Sequence, residues 1–408
     1  MNPDDLIGII ELGNKKIKCL ICKINNNSSE ILSTSVTPSE GIHNDLIINL
    51  EKATNAIRSC ISSAERKAKI SLKKIYVIIE QPDFLCTKFS KYKKINGSKI
   101  YKDDIEFLLK ESKKQLINND KNQFIIHIFN HNYIVDGKIF IEEPINIFAD
   151  TLTHEVTFIT MPRNNLKNIN QAFIDCDIEI ERLISRIFTL GAQLLDDKET
   201  QSGSFLIDLG FDKISLGLFK NFSLVHSTTF PFGIDIVKKD ISKVCSLNEE
   251  ESDAIKNNFD FLFQKNPNLF DENEYLKKNY FTNSTFRKIS KKLITDVIKS
   301  RLDEITYKIK KEIIIPEFIS SSKINLVISG EASSLINIDK YFMDSLTPNV
   351  KLEENNIDNK KEVLDKDFYS CLGALKIIRE GWETEAIARK DDINIKKISF
   401  FNKIFGNN

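Results

Sequence analysis

The sequence predicts an α/β protein of two related halves, with a small α+β unit inserted in the first half and an amphipathic helix at the end. Three observations carry this. Residues 7–22 return as residues 204–219, each copy running strand, carboxylate, glycine turn, strand. Between residues 84 and 158, long elements give way to short β-rich runs around one helix. The closing stretch INIKKISFFNKIFGNN gathers bulky apolar side chains on one helical face.

In each repeated segment an apolar run ends in a carboxylate, Glu11 or Asp208, and a glycine, Gly13 or Gly210, follows two residues on. Glycine lets backbone N–H groups approach an anion with no Cβ in the way, and a carboxylate at a strand end can hold magnesium through water. One acidic residue before a glycine is an ordinary turn signal. Two copies half a chain apart point to one phosphate-facing hairpin used twice.

Composition bounds the reading. A chain of 408 residues suggests two to four domains. Its 58 basic and 58 acidic side chains cancel, so no global field steers it to nucleic acid. The seven cysteines are odd in number, scattered and set among apolar residues, as expected of reduced thiols in a cytosolic core. Cys19 and Cys22 fall in an expected strand, where residues three apart face opposite ways, so packing is preferred to a zinc or redox pair. No apolar run reaches the length of about 20 residues that spans a bilayer, and MNPDDLIGII lacks the basic start of a secretion signal. The expected place is the cytoplasm.

In chain order, strands are expected at 6–12, 17–24 and 30–36, then an amphipathic helix over 49–68 (Leu50, Ala53, Ile57, Cys60, Ile61, Ala64) and a buried strand at 75–79. The insertion carries a helix at 102–117 and β-rich runs at 124–129, 133–135, 138–141 and 153–160. His127 and His131 sit in that β-rich sequence, share no helical face and make a poor metal pair. A helix at 162–176, a strand at 178–182 and a helix at 185–195 resume the first half.

After the second hairpin, helices are expected at 232–244 and 248–258, the latter capped by Asn248 ahead of Glu249, Glu250 and Glu251. Residues 260–283 read as an elaborated loop or a small strand pair. A long amphipathic helix lies within 285–313 (Ile289, Leu293, Val297, Ile298, Leu302, Ile305, Ile309), a strand at 324–328, Gly330 at a strand-to-helix turn, a polar loop at 355–361, and the last core helix at 368–379.

Residues 381–392 read as a polar linker reaching at most about 40 Å. Beyond it, Ile393, Ile398, Phe400, Phe401, Ile404 and Phe405 fall within a helical arc of about 160°, opposite Lys396, Ser399 and Lys403. Lys397 lies inside that arc, where its stem can run along lipid and lift the ammonium to the headgroups. The stretch is expected to lie in an anionic membrane surface, reversibly, with several copies needed for firm attachment; docking on the protein's own core is the alternative.

Together these features resemble the bacterial cell-division family FtsA, actin-like members of the actin, Hsp70 and sugar-kinase superfamily. Gly8-Ile9-Ile10-Glu11-Leu12-Gly13-Asn14-Lys15-Lys16-Ile17 is similar to the family's G-x-x-[DE]-[IL]-G-[ST]-x-K-[IV] phosphate motif, and Pro38-Ser39-Glu40-Gly41-Ile42 to its P-S-x-G-[IM] element. Phe230-Pro231-Phe232-Gly233 looks like I-P-x-x-G, Ser252-Asp253-Ala254-Ile255-Lys256 like A-E-x-I-K, and Ser370-Cys371-Leu372-Gly373-Ala374-Leu375 like the last core helix.

The resemblance implies an actin-like (ribonuclease H-like) duplicated fold. Subdomain 1A would take residues 1–83 and 162–203, the inserted 1C 84–161, 2A 204–240 and 315–380, and 2B 241–314. It implies ATP with Mg2+, held by Gly13, Asn14, Lys15, Lys16, Asp208, Gly210, Lys213, Gly233, Asp253, Lys256, Gly330 and Ala332, with Glu11 and Asp208 meeting the metal through water. Partners would be the FtsZ C-terminal tail, with Arg301 either meeting it or simply solvated, other divisome proteins through 1C, and further copies in a polymer. The site of action would be the cytoplasmic face of the inner membrane at the division site.

The sequence departs from the family in the second phosphate loop. Where the family has D-[IL]-G-G-G-T, this chain has Asp208-Leu209-Gly210-Phe211-Asp212-Lys213, and the adenosine turn G-G-[AG] is Gly330-Glu331-Ala332. A ring and a carboxylate beside phosphates weaken binding, while Lys213 and Lys15 return positive charge. Three readings follow: a membrane adaptor, an ATP-dependent kinase-type enzyme, and an actin-like scaffold that is nucleotide-free or lacks lipid contact. A kinase needs intact glycines and a base at a substrate hydroxyl, neither recognisable here, so an ATP-binding or degenerate scaffold is preferred to a turnover enzyme.

Overall fold

Strands β1 (Leu6–Leu12) and β2 (Lys16–Asn25) form the first hairpin, antiparallel, with Leu12 opposite Ile17 and Glu11 opposite Lys18. The computed structural model describes residues 6–25, 28–262, 275–313, 325–331, 335–353, 366–382 and 384–386. Ala332 and the terminal stretch with Ile393, Lys396, Lys397, Ile398, Phe400, Phe401, Lys403, Ile404 and Phe405 lie outside the described residues.

Strand β3 (Ser28–Pro38) continues the meander, and the short pair β4 (Ile42–His43) and β5 (Leu46–Ile47) leads into α1 (Leu50–Ala68). Asn49 caps α1 by accepting the Lys52 N–H, and the helix stops where Lys69 turns left-handed at φ 56°. Strand β6 (Lys74–Ile79) then pairs parallel with β1. The insertion comprises β7 (Leu85–Lys99), α2 (Lys102–Asn119), β8 (Gln123–Val135), β9 (Lys138–Phe140) and β10 (Phe148–Pro162), in the sheet order β7-β10-β8-β9. Helix α3 (Arg163–Ile174), β11 (Glu179–Ser185), α4 (Arg186–Leu194) and α5 (Asp197–Ser202) complete the first half.

The second half repeats the plan with β12 (Ser204–Leu209), β13 (Ile214–Lys220) and β14 (Ser223–Phe230). It continues through α6 (Asp235–Cys245), α7 (Glu249–Asn258), α8 (Lys291–Ile313), β15 (Asn325–Ser329), α9 (Ile338–Ser345), β16 (Asn349–Leu352) and α10 (Tyr369–Glu380). One sheet runs β3-β2-β1-β6-β11 and another β14-β13-β12-β15-β16. Each therefore places a three-strand meander beside two later strands, parallel in β6–β11 and in β15–β16. That identity of order is the duplication read from the repeated segments, and the actin-like expectation holds.

The chain forms two compact units. One holds the described residues up to Ser204, Gly217–Thr229 and those from residue 366 onward; the other holds Phe205–Leu216 and the described part of Phe230–Asp358. In the first unit, Ile10, Leu12, Ile17 and Val77 of the sheet pack with Ile57, Cys60 and Ile61 of α1 and Phe173 of α3. Each such side chain, fully buried, contributes about 1.5–3 kcal/mol. Cys19 and Cys22 are buried free thiols, as the core reading required. Burial pushes the Cys22 thiol up to about 12.

Two expectations need correction. The runs at 124–129 and 133–135 are one strand, β8, and a further strand of 15 residues, β7, occupies residues to which the sequence assigned no element. Only Phe89 and Ile95 of β7 are buried, and its lysines sit on the edge of the sheet, so its apolar alternation is too sparse to read. The stretch expected to be a free linker from residue 381 begins as packed chain. The Ala386 N–H donates to the Ile128 carbonyl at 2.8 Å, the Asn130 N–H to the Thr384 carbonyl at 2.8 Å, and Glu385 pairs antiparallel with Phe129. Polar composition concealed this because backbone groups and one carboxylate, with only Ala386 and Trp382 as apolar contacts, hold the segment.

Candidate functional site

The two hairpins have the same turn. A Cβ on Gly13 would stand 2.8 Å from the Lys16 carbonyl oxygen, and a Cβ on Gly210 would stand 2.8 Å from that of Lys213. Both turns fold back so closely that only glycine fits, which leaves the backbone bare at the tip.

In the first unit, Glu11, Gly13, Asn14, Lys15 and Lys16 come together as expected. Asn14 Oδ1 accepts the Asp45 N–H at 2.9 Å, and the Lys15 carbonyl accepts the Ser39 N–H at 2.9 Å, so the P-S-x-G segment braces the turn. Lys16 is exposed and pairs with Asp367 at 2.8 Å. Three neighbours of Glu11 escaped the sequence reading. Glu11, buried at 4% exposure, faces Arg186 Nε at 3.1 Å and Lys18 Nζ at 3.4 Å, and accepts a hydrogen bond from the Ser370 hydroxyl. Lys18 was within reach of sequence reasoning, because closing the hairpin at Leu12 and Ile17 puts it directly across from Glu11. Arg186 and Ser370 come from distant helices and left no such signal.

Glu80, fully buried at the end of β6, was also missed. It accepts from the Ser185 hydroxyl at 2.7 Å, the Ile187 N–H at 2.9 Å and the Thr229 hydroxyl at 3.3 Å, while its own N–H donates to Asp45 Oδ2 at 3.1 Å. Ser185 leads onward: its N–H donates to His127 Nε2 at 2.9 Å. His127 must therefore carry its proton on Nδ1, which lies 2.6 Å from Glu385 Oε1, and Glu385 also accepts from Arg182. Burial first, and the Arg182 charge second, hold the imidazole well below its ordinary value, so it is neutral.

In the second unit, Asp208, Gly210, Lys213, Gly233 and Gly330 form one corner. The Ile234 and Asp235 N–H groups donate to the Gly210 and Phe211 carbonyls at 2.9 and 3.1 Å, so the tip of the turn fills the start of α6. Gly330, at φ 89°, presses on the end of β12, where a Cβ would stand 2.6 Å from Asp208 Oδ1. Lys213 is buried, and Lys238, paired with Asp235 and Glu249, lies 5.5 Å from the Phe211 ring centroid.

Asp253 and Lys256 sit on α7, paired with each other at 3.0 Å. Arg301 on α8 is committed to Asp240, with Nε and Nη2 donating at 2.6 and 3.1 Å, and also pairs with Glu304. Donation to the Asp240 carboxylate holds its guanidinium above the ordinary value. A cavity of about 230 Å³ opens elsewhere in this unit, lined by Phe259, Asp260, Leu276, Lys277, Tyr280 and Lys291. Among the described residues no three His, Cys, Asp or Glu side chains are grouped to hold a metal, and no helix is long and apolar enough to cross a membrane.

A magnesium ion fits the first hairpin poorly, because both oxygens of its only acidic side chain already face cationic donors. Phosphate fits better, since the glycine turn carries Lys15 and Lys16, the latter paired with Asp367, and the cations Lys18 and Arg186 lie behind it against Glu11.

A family model described as the SHS2 domain inserted in FtsA matches residues 85–160, and one described as cell division protein FtsA matches residues 205–373. A cell division protein FtsA of Buchnera aphidicola subsp. Schizaphis graminum is 25% identical over 97% of this chain and 94% of its own, and one of Bacillus subtilis is 22% identical over 87% and 80%. Among solved structures, a PilM-PilN type IV pilus biogenesis complex aligns with a TM-score of 0.60 at 10% identity, covering 92% of this chain and 96% of that one. MreB5 of Spiroplasma citri, bound to AMPPNP, aligns at 0.52 and 11%, covering 91% and 95%.

Proposed function

Since the chain belongs to the FtsA cell-division family, we propose that it tethers FtsZ filaments to the cytoplasmic face of the inner membrane at the division site. The observation that carries this reading is the presence, in one chain, of the duplicated actin-like core and an amphipathic stretch at 393–408, which a soluble enzyme has no use for. The core docks the FtsZ tail and further copies of itself, the inserted domain meets other division proteins, and the terminal stretch holds the assembly on lipid.

The cavity bordered by Phe259, Leu276 and Tyr280, with Lys277 and Lys291 beside Asp260, is of mixed polarity and offers an acidic peptide apolar contacts and two lysines. Arg301 serves such a peptide only by exchanging Asp240 for a peptide carboxylate. ATP belongs to the same reading at reduced affinity, given Phe211, Asp212 and Glu331 where the family has small residues.

The test is cosedimentation with FtsZ filaments and vesicles containing anionic lipid. The full chain is expected to carry FtsZ down with the vesicles, and a chain lacking residues 393–408 to bind FtsZ but leave it in the supernatant. Vesicle recruitment that survives the deletion would reject the anchor; absence of FtsZ binding by either form would reject the adaptor.

A further inference from the structure

The first hairpin has an electrostatic peculiarity of its own. Its carboxylate, Glu11, is nearly sealed from solvent, with Oε1 3.1 Å from Arg186 Nε and Oε2 3.4 Å from Lys18 Nζ, and Oε2 also receives the Ser370 hydroxyl. A carboxylate that holds a hydrated divalent ion must present its lone pairs to that ion's waters. Here both oxygens face fixed charges and one also receives a hydroxyl, and a divalent ion beside them would be repelled by both cations at short range in a poorly screened site.

The arrangement is built rather than incidental. Lys18 is held across the strand pair from Glu11 by the register of β1 and β2, and it is itself only 9% exposed. Arg186 opens α4, whose first turn is fixed by the bond from the Ile187 N–H to buried Glu80. Ser370 sits in the first turn of α10. Two cations thus lie against the one carboxylate, beside the glycine turn that carries Lys15 and Lys16, the latter paired with Asp367.

We infer that Lys18 and Arg186 stand in for the divalent cation at this hairpin, so that it takes a phosphate-bearing ligand without metal. The ligand class rests on the nucleotide part of the proposed function; the exclusion of metal does not.

Two measurements on the full chain separate these. ATP titrated by calorimetry in EDTA and in millimolar magnesium should bind with affinities within about threefold of each other. Magnesium that tightens ATP by about tenfold or more overturns the inference. Failure to bind ATP in either buffer removes the nucleotide reading and leaves the second measurement to decide. In that measurement, Mn2+ binding is followed by electron paramagnetic resonance, with Glu11→Gln subtracted as background. The unaltered protein should show no Glu11-dependent Mn2+, whereas Lys18→Met with Arg186→Leu should gain such a site, with affinity raised at least about tenfold. Glu11-dependent Mn2+ in the unaltered protein, or a folded double variant without it, overturns the inference; if the double variant does not fold, the unaltered protein alone decides.

Discussion

Replacing Glu385 by alanine should release the strap at 384–386 from the inserted domain while leaving the rest of the unit folded. Glu385 is 3% exposed and accepts from both His127 and Arg182. Burial pulls the Arg182 guanidinium down to about 10, so it is still charged at neutral pH. Breaking a buried pair by removing one partner costs about 3–5 kcal/mol. Arg182 retains 15% side-chain exposure and can turn toward water, which places the cost near the lower limit, about 3 kcal/mol, or roughly a hundredfold in the opening equilibrium.

Two backbone hydrogen bonds join strap and strand, so two amides report that opening: Asn130 N–H, bound to Thr384, and Ala386 N–H, bound to Ile128. Hydrogen exchange at those two positions should accelerate by about a hundredfold, with amides in the middle of β1 and β6 unchanged. Equal exchange in the variant and the parent would refute the lock, and uniform acceleration across the unit would show that Glu385 supports the whole core.

Gly373→Ala should lower the melting temperature, because the new methyl would overlap the Thr189 carbonyl oxygen and stand 2.7 Å from its carbon, where α10 crosses α4. Overpacking of this kind costs about 1–3 kcal/mol, roughly 2–9 °C for a unit of this size; an unchanged melting curve would contradict the packing described. Burial pulls His154 down to about 3, with Nε2 bonded to Asn130 at 3.1 Å. A histidine kept neutral when folded but protonated when unfolded withdraws stability as pH falls below about 6.5, by about 1.4 kcal/mol per unit until the folded value is reached. His154→Gln should therefore flatten the loss of urea stability between pH 6 and pH 4 by about that slope, and an identical slope in the variant would dismiss the assignment.

The repeated segment made the duplication legible because a turn this tight accepts only glycine, so Gly13 and Gly210 had to appear at matched places. Helices α1 and α7 were legible for a similar reason: the apolar face of the first and the Asn248 cap of the second are local properties of consecutive residues. Strand β7 was not, since its stability comes from pairing with β10 rather than from its own pattern. Nor was the destiny of Arg301, whose partner Asp240 lies on another helix.

Sequence alone gave what depends on neighbours along the chain: the two matched glycine turns, the longer helices, the inserted domain, and the apolar pattern of residues 393–408. Only the tertiary structure decided what surrounds Glu11 and what becomes of residues 384–386. In both cases charged groups from far-separated segments converge, and the Coulomb energy that governs them depends on spatial distance and burial, which spacing in a sequence does not encode.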